Sequence, residues 1–251
     1  MLKNVWITGA SSGIGKALAI KFAKEGWQVA ASARRENLLQ KLHDSYANII
    51  PFNLNVKDEN AAKKVFQNIL EKLQTIDLCV FCTGIHDPES EKKLSIKKIR
   101  EIMETNFFGT LNCIMAVNDY FRKKENGHIS IVSSVAGYRG LPAAAGYCAS
   151  KSALTSLAES LYFDFKRHNI RVSLVSPGFI KTPMTDKNKF PMPMIKSPEF
   201  AAEKMFIGLT KKNVFEIHFP IAFTMMMKLL KIMPNWLYFL LVKKGMKTIK
   251  Y

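Results

Sequence analysis

Among 251 residues there are only four cysteines, Cys79, Cys82, Cys113 and Cys148, too few and too scattered for the disulfide framework of a small secreted domain. Cys79 and Cys82 form a C-x-x-C, but inside an apolar run of buried-strand character. The thiols therefore count as core, and neither a metal site nor a redox pair is expected. No segment near the N-terminus has the basic, apolar and small-residue order of a signal peptide, since Met1-Leu2-Lys3 runs directly into a strand-like stretch, so a cytoplasmic location is expected. No apolar run approaches the ~20 residues needed to span a bilayer, and there is no internal repeat of solenoid length or low-complexity tract. Acids are scarce: 20 Asp+Glu stand against 37 Lys+Arg, a formal charge of +17, which favours anionic partners. The excess is largely dispersed and no zinc-finger or RNA-recognition signature accompanies it, so no nucleic-acid partner is expected.

What the chain does have is 48% hydrophobic residues, ample for one large core. Short β-rich apolar runs alternate with longer helical stretches. Strands are expected at Val5–Thr8, Gln28–Ser32, Ile49–Phe52, Leu78–Cys82, His128–Val132, Ile170–Val175 and Val214–Phe219. Helices are expected over Lys16–Lys24, Glu36–His43, Asn60–Leu73, Ile96–Lys123, Tyr147–His168 and Pro198–Thr210. Residues 85–95 read as polar loop. Buried strands separated by helices predict an α/β fold, a doubly wound parallel sheet of Rossmann type with helices on both faces. Ligands then bind at the carboxyl ends of the strands.

Three patterns fall at that edge. The first strand runs into Gly9-Ala10-Ser11-Ser12-Gly13-Ile14-Gly15 and then a helix. Glycines there let the backbone approach a pyrophosphate, which the helix N-terminus binds. The second strand ends at Arg34 and Arg35, where an acid would bind the ribose 2′-hydroxyl of NAD. Guanidinium forks suit a 2′-phosphate instead, so NADP is expected over NAD, with Arg34 favoured because it comes first. The third pattern is Tyr147-Cys148-Ala149-Ser150-Lys151. One helical turn places the ammonium beside the phenol, an arrangement expected to lower the pKa of Tyr147 so that it exchanges protons nearer neutrality. Asn106 lies in mid-helix, where asparagine is mildly unfavourable unless it has a task.

Together Thr8-Gly9-x-x-x-Gly13-Ile14-Gly15, Asn106, Ser134, Tyr147, Lys151 and Pro177-Gly178 resemble the short-chain dehydrogenase/reductase family in its compact single-domain form, over roughly residues 3–220. The resemblance implies an NAD(P)-dependent oxidoreductase interconverting an alcohol and a ketone or aldehyde, with Asn106, Ser134, Tyr147 and Lys151 as the catalytic set. The serine is Ser134 because the family places it thirteen residues before the tyrosine; Ser133 is its neighbour. In the reductive direction Ser134 holds the carbonyl oxygen, Tyr147 donates the proton, Lys151 binds the nicotinamide ribose, and Asn106 holds a water that relays protons toward Lys151. Cofactor contacts fall to Gly9, Ser11, Ser12, Gly13, Ile14, Gly15, Arg34, Arg35, Asn55, Gly84, Tyr147, Lys151, Pro177, Gly178, Ile180 and Thr182. The chain departs from the family's pattern where Phe81-Cys82-Thr83-Gly84 replaces Asn-Asn-Ala-Gly, and where Asn55 stands in place of an aspartate. A catalytically idle dinucleotide-binding sensor or membrane-surface scaffold is the alternative. Phe179, Met184, Phe190, Met192, Met194 and Ile195 occupy the expected lid, where soft side chains favour an apolar carbonyl or alcohol substrate. A homo-oligomer is expected.

The resemblance leaves the tail unexplained, so the chain divides into a catalytic domain, residues 1–220, and a tail, residues 221–251. Residues 219–251 hold Lys228, Lys231, Lys243, Lys244, Lys247 and Lys250 and no acid. Pro234 splits them into two short helices, 221–233 and 234–244, with Gly245 as a stop. Thr224, Lys228 and Lys231 form a narrow polar stripe on an otherwise apolar cylinder, and Trp236, Tyr238 and Phe239 precede Lys243 and Lys244. This composition suits a helix lying peripherally at the inner face of an anionic membrane with its lysines toward lipid, or one that covers the substrate cleft or a partner subunit.

Overall fold

The computed structural model describes residues 3–91, 93–188 and 190–247. Seven strands, β1 (Asn4–Thr8), β2 (Gln28–Ala33), β3 (Ile49–Asn53), β4 (Leu78–Phe81), β5 (Gly127–Val132), β6 (Ile170–Pro177) and β7 (Glu216–Phe219), form one sheet in the order β3-β2-β1-β4-β5-β6-β7. Every pairing is parallel. The helices between them are α1 (Gly13–Lys24), α2 (Glu36–Ser45), α3 (Glu59–Leu73), a single turn α4 (Pro88–Glu91), α5 (Ile96–Met103), α6 (Gly109–Lys124), α7 (Ala145–Lys166) and α8 (Pro198–Thr210). The chain closes with α9 (Ile221–Ile232) and α10 (Asn235–Lys247).

The strands are apolar on both faces because both are covered. Val5 and Ile7 point into one core with Leu18 and Phe22 of α1, Leu39 of α2, and Met205 and Phe206 of α8. Trp6, between them, points into the other with Phe66 of α3, Phe121 of α6 and Leu154 of α7. Aromatic rings lock each layer: Phe22 meets Phe206 edge-on at 5.0 Å, and Trp6 stacks on Phe66 and meets Phe81 edge-on, each at 5.6 Å. Caps mark two of the helix starts. The Asp58 carboxylate accepts from Ala61 N at 2.9 Å, and Ser197 caps α8 with Pro198 in its first turn.

One expected helix and one expected loop differ. The segment Ile96–Lys123 is not one regular helix, because Glu104–Phe108 is a π-helical turn between α5 and α6, a bulge that re-aims side chains locally. The polar stretch 85–95 contains the turn α4. Strand order reverses between β1 and β4, whose carboxyl ends, with those of β5 and β6, open onto one cleft.

The tail packs onto the edge of the sheet, and its orientation corrects the expected one. On α9 the polar stripe faces the protein: the Thr224 hydroxyl is fully buried and lies 2.7 Å from His218 Nδ1, Lys228 pairs with Glu216 at 2.6 Å, and the Lys231 ammonium lies 5.9 Å from the Tyr138 ring. A carboxylate and a phenol on the sheet edge give these polar groups partners that solvent need not supply. Arg139 holds the helix end, its Nη1 donating to the carbonyls of Leu230 and Met233, the latter at 2.7 Å, and its guanidinium lying 4.0 Å from the Tyr238 ring. Those are the orphan carbonyls of a helix C-terminus. Gly245 does not stop α10, which continues to Lys247; residues 248–251, with Lys250, lie outside the described residues. Among the described residues no helix is long and apolar enough to cross a membrane.

Candidate active site

A cleft of about 480 Å³ runs along the carboxyl ends of the strands, from the loop between β1 and α1 to the segment after β6. Its first end is built by close backbone approach. Gly9 and Gly13 have φ of 71° and 56°, in the left-handed region. A Cβ on Gly15 would lie 2.4 Å from the Gly9 carbonyl oxygen, and one on Gly13 would lie 3.0 Å from Thr182 Cγ2. The turn therefore closes only with glycine, and Thr182 folds over it from the far side of the cleft. Helix α1 starts with no side-chain cap and no acid in its first turn. The hydroxyl that would cap it, Ser12 Oγ, instead accepts from Arg35 Nη2 at 2.6 Å, and Ser11 Oγ accepts from the same nitrogen at 2.8 Å. The helix thus presents free N–H groups and its positive end beside a guanidinium, a setting that fits a phosphate-bearing dinucleotide. The two arginines, both lining the cleft, differ in setting. Arg35 is fixed against the glycine loop, whereas Arg34 lines the cleft without a hydrogen bond of its own. Asn55 also lines this end, its side chain turned back to accept from Lys57 N at 3.3 Å.

At the other end Ser134, Tyr147, Lys151, Gly84, Pro177, Gly178 and Ile180 line the same cleft. The two serines divide cleanly. Ser133 Oγ is buried and donates to the Lys151 carbonyl at 2.8 Å, tying β5 to α7, while the Ser134 hydroxyl faces the Tyr147 phenol and lowers its pKa. That effect is outweighed. Burial pushes Tyr147 up to about 12, so the expectation of a phenol titrating near neutrality does not hold. Lys151 lies 5.7 Å from the tyrosine ring with its Nζ donating to the Val132 carbonyl at 2.9 Å. Its own burial pushes it down to about 8. Desolvation acts against whichever form is charged, and it moves the two groups in opposite directions. The thiols of Cys79 and Cys82 are likewise held protonated by burial, Cys82 at about 11.

Asn106 is brought to this site but does not line the cleft. From the π-helical turn its Oδ1 accepts from Ile85 N at 2.7 Å, and its Nδ2 donates to the Ile85 carbonyl and to Ser150 Oγ, both at 3.0 Å. Both amide hydrogens are committed, so its side chain fixes the loop after β4 to α7. Of the expected lid residues only Met184 lines the cleft. Phe179 packs against Phe190 and Phe223, and Met194 and Ile195 are exposed.

Two residues of the site escaped the sequence reading. Glu91, with its side chain 2% exposed, accepts from the backbone N–H groups of Gly146 and Tyr147 at 2.7 and 3.2 Å. It caps α7 from 55 residues away. Its other oxygen lies 2.9 Å from His86 Nδ1, and the His86 ring lies against the Tyr147 ring at 4.3 Å between centroids. The one local hint is that Leu141-Pro142-Ala143-Ala144-Ala145-Gly146 offers no capping side chain to the helix that carries the tyrosine, which leaves its first N–H groups to water or to a partner from elsewhere in the chain.

Comparison with known proteins agrees with this geometry. The family model described as short chain dehydrogenase matches residues 3–191. An uncharacterized oxidoreductase of Myxococcus xanthus is 34% identical over 240 residues, covering 94% of each chain. The 3-oxoacyl-[acyl-carrier-protein] reductase FabG of Thermotoga maritima is 36% identical over 185 residues, covering 72% of this chain and 75% of its own. Among solved structures, ElxO with NADP bound superposes with a TM-score of 0.77 at 26% identity, over 87% of this chain and 98% of its own.

Proposed function

The chain belongs to the short-chain dehydrogenase family, and from that premise we propose that it is an NADP(H)-dependent oxidoreductase that interconverts an apolar ketone or aldehyde and the corresponding alcohol, with Tyr147 as general acid and base. The observation that carries this reading is the cleft itself: an anion-ready helix N-terminus flanked by Arg35 at one end and a Ser134–Tyr147–Lys151 cluster at the other. A bound nicotinamide dinucleotide supplies the hydride. Arg35, Ser11 and Ser12 would hold a 2′-phosphate at the adenosine end, with Arg34 as a second contact. NADP in the ElxO structure supports this choice. Ile85, His86 and Met184 line the cleft and would give the substrate an apolar surface.

In the reductive direction the Ser134 hydroxyl donates to the carbonyl oxygen while Tyr147 O–H delivers the proton as charge develops there. A phenol held at about 12 is fully protonated at working pH and is poised as the acid. Lys151, still largely cationic below about 8, favours the phenolate left after transfer. Asn106, Glu91 and His86 are positioning residues, fixing the loop after β4, the start of α7 and the tyrosine ring.

The deciding experiment is Tyr147→Phe, which keeps the ring and removes only the transferable proton. With an NADPH-oxidation panel of lipid, aromatic, steroid and sugar carbonyls, turnover should fall ~10²–10⁴-fold while NADPH binding is retained. Turnover near wild type would end the general-acid assignment. NADPH binding by the wild type without turnover of any carbonyl would instead identify an idle nucleotide sensor.

A further inference from the structure

The C-terminal helix pair is apolar on two sides: α9 packs Phe223 and Met227 against Val135 and Tyr138, yet leaves a second apolar stripe in solvent. On α9 Thr224 and Lys228 share the packed side with Phe223 and Met227, whereas Ile221, Met225, Leu229 and Ile232 are all more than half exposed, at 67, 52, 54 and 77%. Their spacing of four, four and three residues makes one continuous stripe, and Met226 lies beside it. The pattern continues into α10, where Trp236, Phe239 and Leu240 are more than half exposed. Contiguous large apolar groups of this extent mark an interaction surface. The exposed stripe does not belong to a loosely held helix end, because Arg139 clamps the last carbonyls of α9 and the Tyr238 hydroxyl bonds to the Gly140 carbonyl.

We propose that this face docks on the surface of an anionic lipid bilayer, with the apolar stripe and the Trp236 and Phe239 rings at the level of the headgroups. The choice of occupant rests on charge. Residues 219–251 contain no acid, and Lys243, Lys244, Lys247 and Lys250 follow the apolar stretch; Lys243 and Lys244 are exposed. The one tail lysine in an ion pair among the described residues, Lys228, is matched by Glu216. A second copy of this chain would bring the same uncompensated lysines, on a protein of net charge +17, against one another. An anionic membrane neutralises them, and aromatic and aliphatic groups beside lysines are what such an interface solvates best. The cleft and its chemistry take no part in this docking, so the proposal stands apart from the catalytic reading.

Flotation of the full-length protein with phosphatidylglycerol–phosphatidylcholine vesicles should recover it with the lipid at low salt. Pure phosphatidylcholine vesicles, or high salt, should release it, since the charge attraction is screened. Leu229→Glu combined with Phe239→Glu should abolish flotation while NADPH binding, read by fluorescence, stays at the wild-type value. Lys243→Gln and Lys244→Gln should each lower the partition coefficient about fivefold. The proposal is overturned if the wild type does not float with anionic vesicles or if the double glutamate variant floats equally well. It is also overturned if size-exclusion chromatography finds a dimer that the double variant splits, which would assign the face to a second copy.

Discussion

Lys151 is the residue at which function and stability should conflict most measurably. Its ammonium is buried, 4% exposed, and donates to the Val132 carbonyl. Its pKa is brought from 10.5 down to about 8, so below about pH 8 the folded protein holds a charge that burial disfavours by about 3 kcal/mol. Between about 8 and 10.5 the unfolded chain keeps the proton that the folded one has released. More protons are then bound in the unfolded state, and stability rises with pH through that window. Lys151→Met keeps the length of the side chain and removes the charge. It leaves the Val132 carbonyl without its donor, a cost of about 1–3 kcal/mol that does not depend on pH. The stability difference between wild type and variant should therefore move by about 2–3 kcal/mol in favour of the wild type between about pH 7 and about pH 10. Tyr147, whose pKa is raised from 10 to about 12, contributes stability that is lost only as pH passes above 10, and both proteins carry it. Urea unfolding followed by circular dichroism at several pH values, without cofactor, measures the difference. A difference that stays constant with pH would show that the Lys151 ammonium is not desolvated, and the argument would fail.

Glu91→Gln should destabilise the fold by about 1–2 kcal/mol, because the amide oxygen can still accept from the two N–H groups but the negative charge that strengthens those bonds at a helix N-terminus is lost, and lower Tm by several degrees, at about 2–4 °C per kcal/mol. It should also lower kcat while leaving the Kd for NADPH unchanged; a variant with wild-type kcat would reduce Glu91 to a structural cap. Arg35→Ala should reduce the NADP/NAD preference by about tenfold or more, since a charge-assisted bond to phosphate contributes ~1.5–3 kcal/mol. Arg34→Ala should have the smaller effect, measured as the ratio of kcat/KM for the two cofactors. If neither substitution changes that ratio, the phosphate assignment is wrong.

The sheet was legible because its inner strands β1, β2, β4, β5 and β6 are buried along nearly all of their length and appear as largely apolar runs; observed strand limits differ from the expected ones by no more than two residues at either end. Helix α8 was expected at its observed limits, since Ser197, Pro198 and the residues after Thr210 carry local start and stop signals. The π-helical turn at Glu104–Phe108 was not legible. One extra residue in a turn leaves the apolar spacing on either side nearly intact, and only the unexplained Asn106 hinted at it. Long-range polar contacts were hidden for a different reason. His86 and Glu91 lie in a stretch with no periodicity, and their meaning comes from Tyr147 and Gly146 on another element. The pKa of Tyr147 was misjudged because spacing reports which groups are neighbours and says nothing of how much water surrounds them.

The tail shows where an amphipathic pattern stops being informative. A stripe of Thr224, Lys228 and Lys231 on an apolar helix has two solutions of equal periodicity, polar side out or polar side in, and sequence spacing fits both. The choice is made by partners that the tail itself does not contain. Glu216 at the end of the sheet offers a carboxylate to Lys228, Tyr138 offers a ring to both lysines, and His218 offers a ring nitrogen to Thr224. Burial of Glu216 raises its pKa, while Lys228, Tyr138 and Ser176 act together to lower it, and the net shift is downward. The carboxylate therefore stays charged and keeps its hold on Lys228. With those contacts made, Ile221, Met225, Leu229 and Ile232 have nowhere to point but outward. The exposed apolar stripe is thus the second apolar side of a helix whose packed side is already filled by Phe223, Met227, Thr224 and Lys228, and substituting Glu216 by an apolar residue would remove the ion pair while Phe223 and Met227 still hold α9 in place.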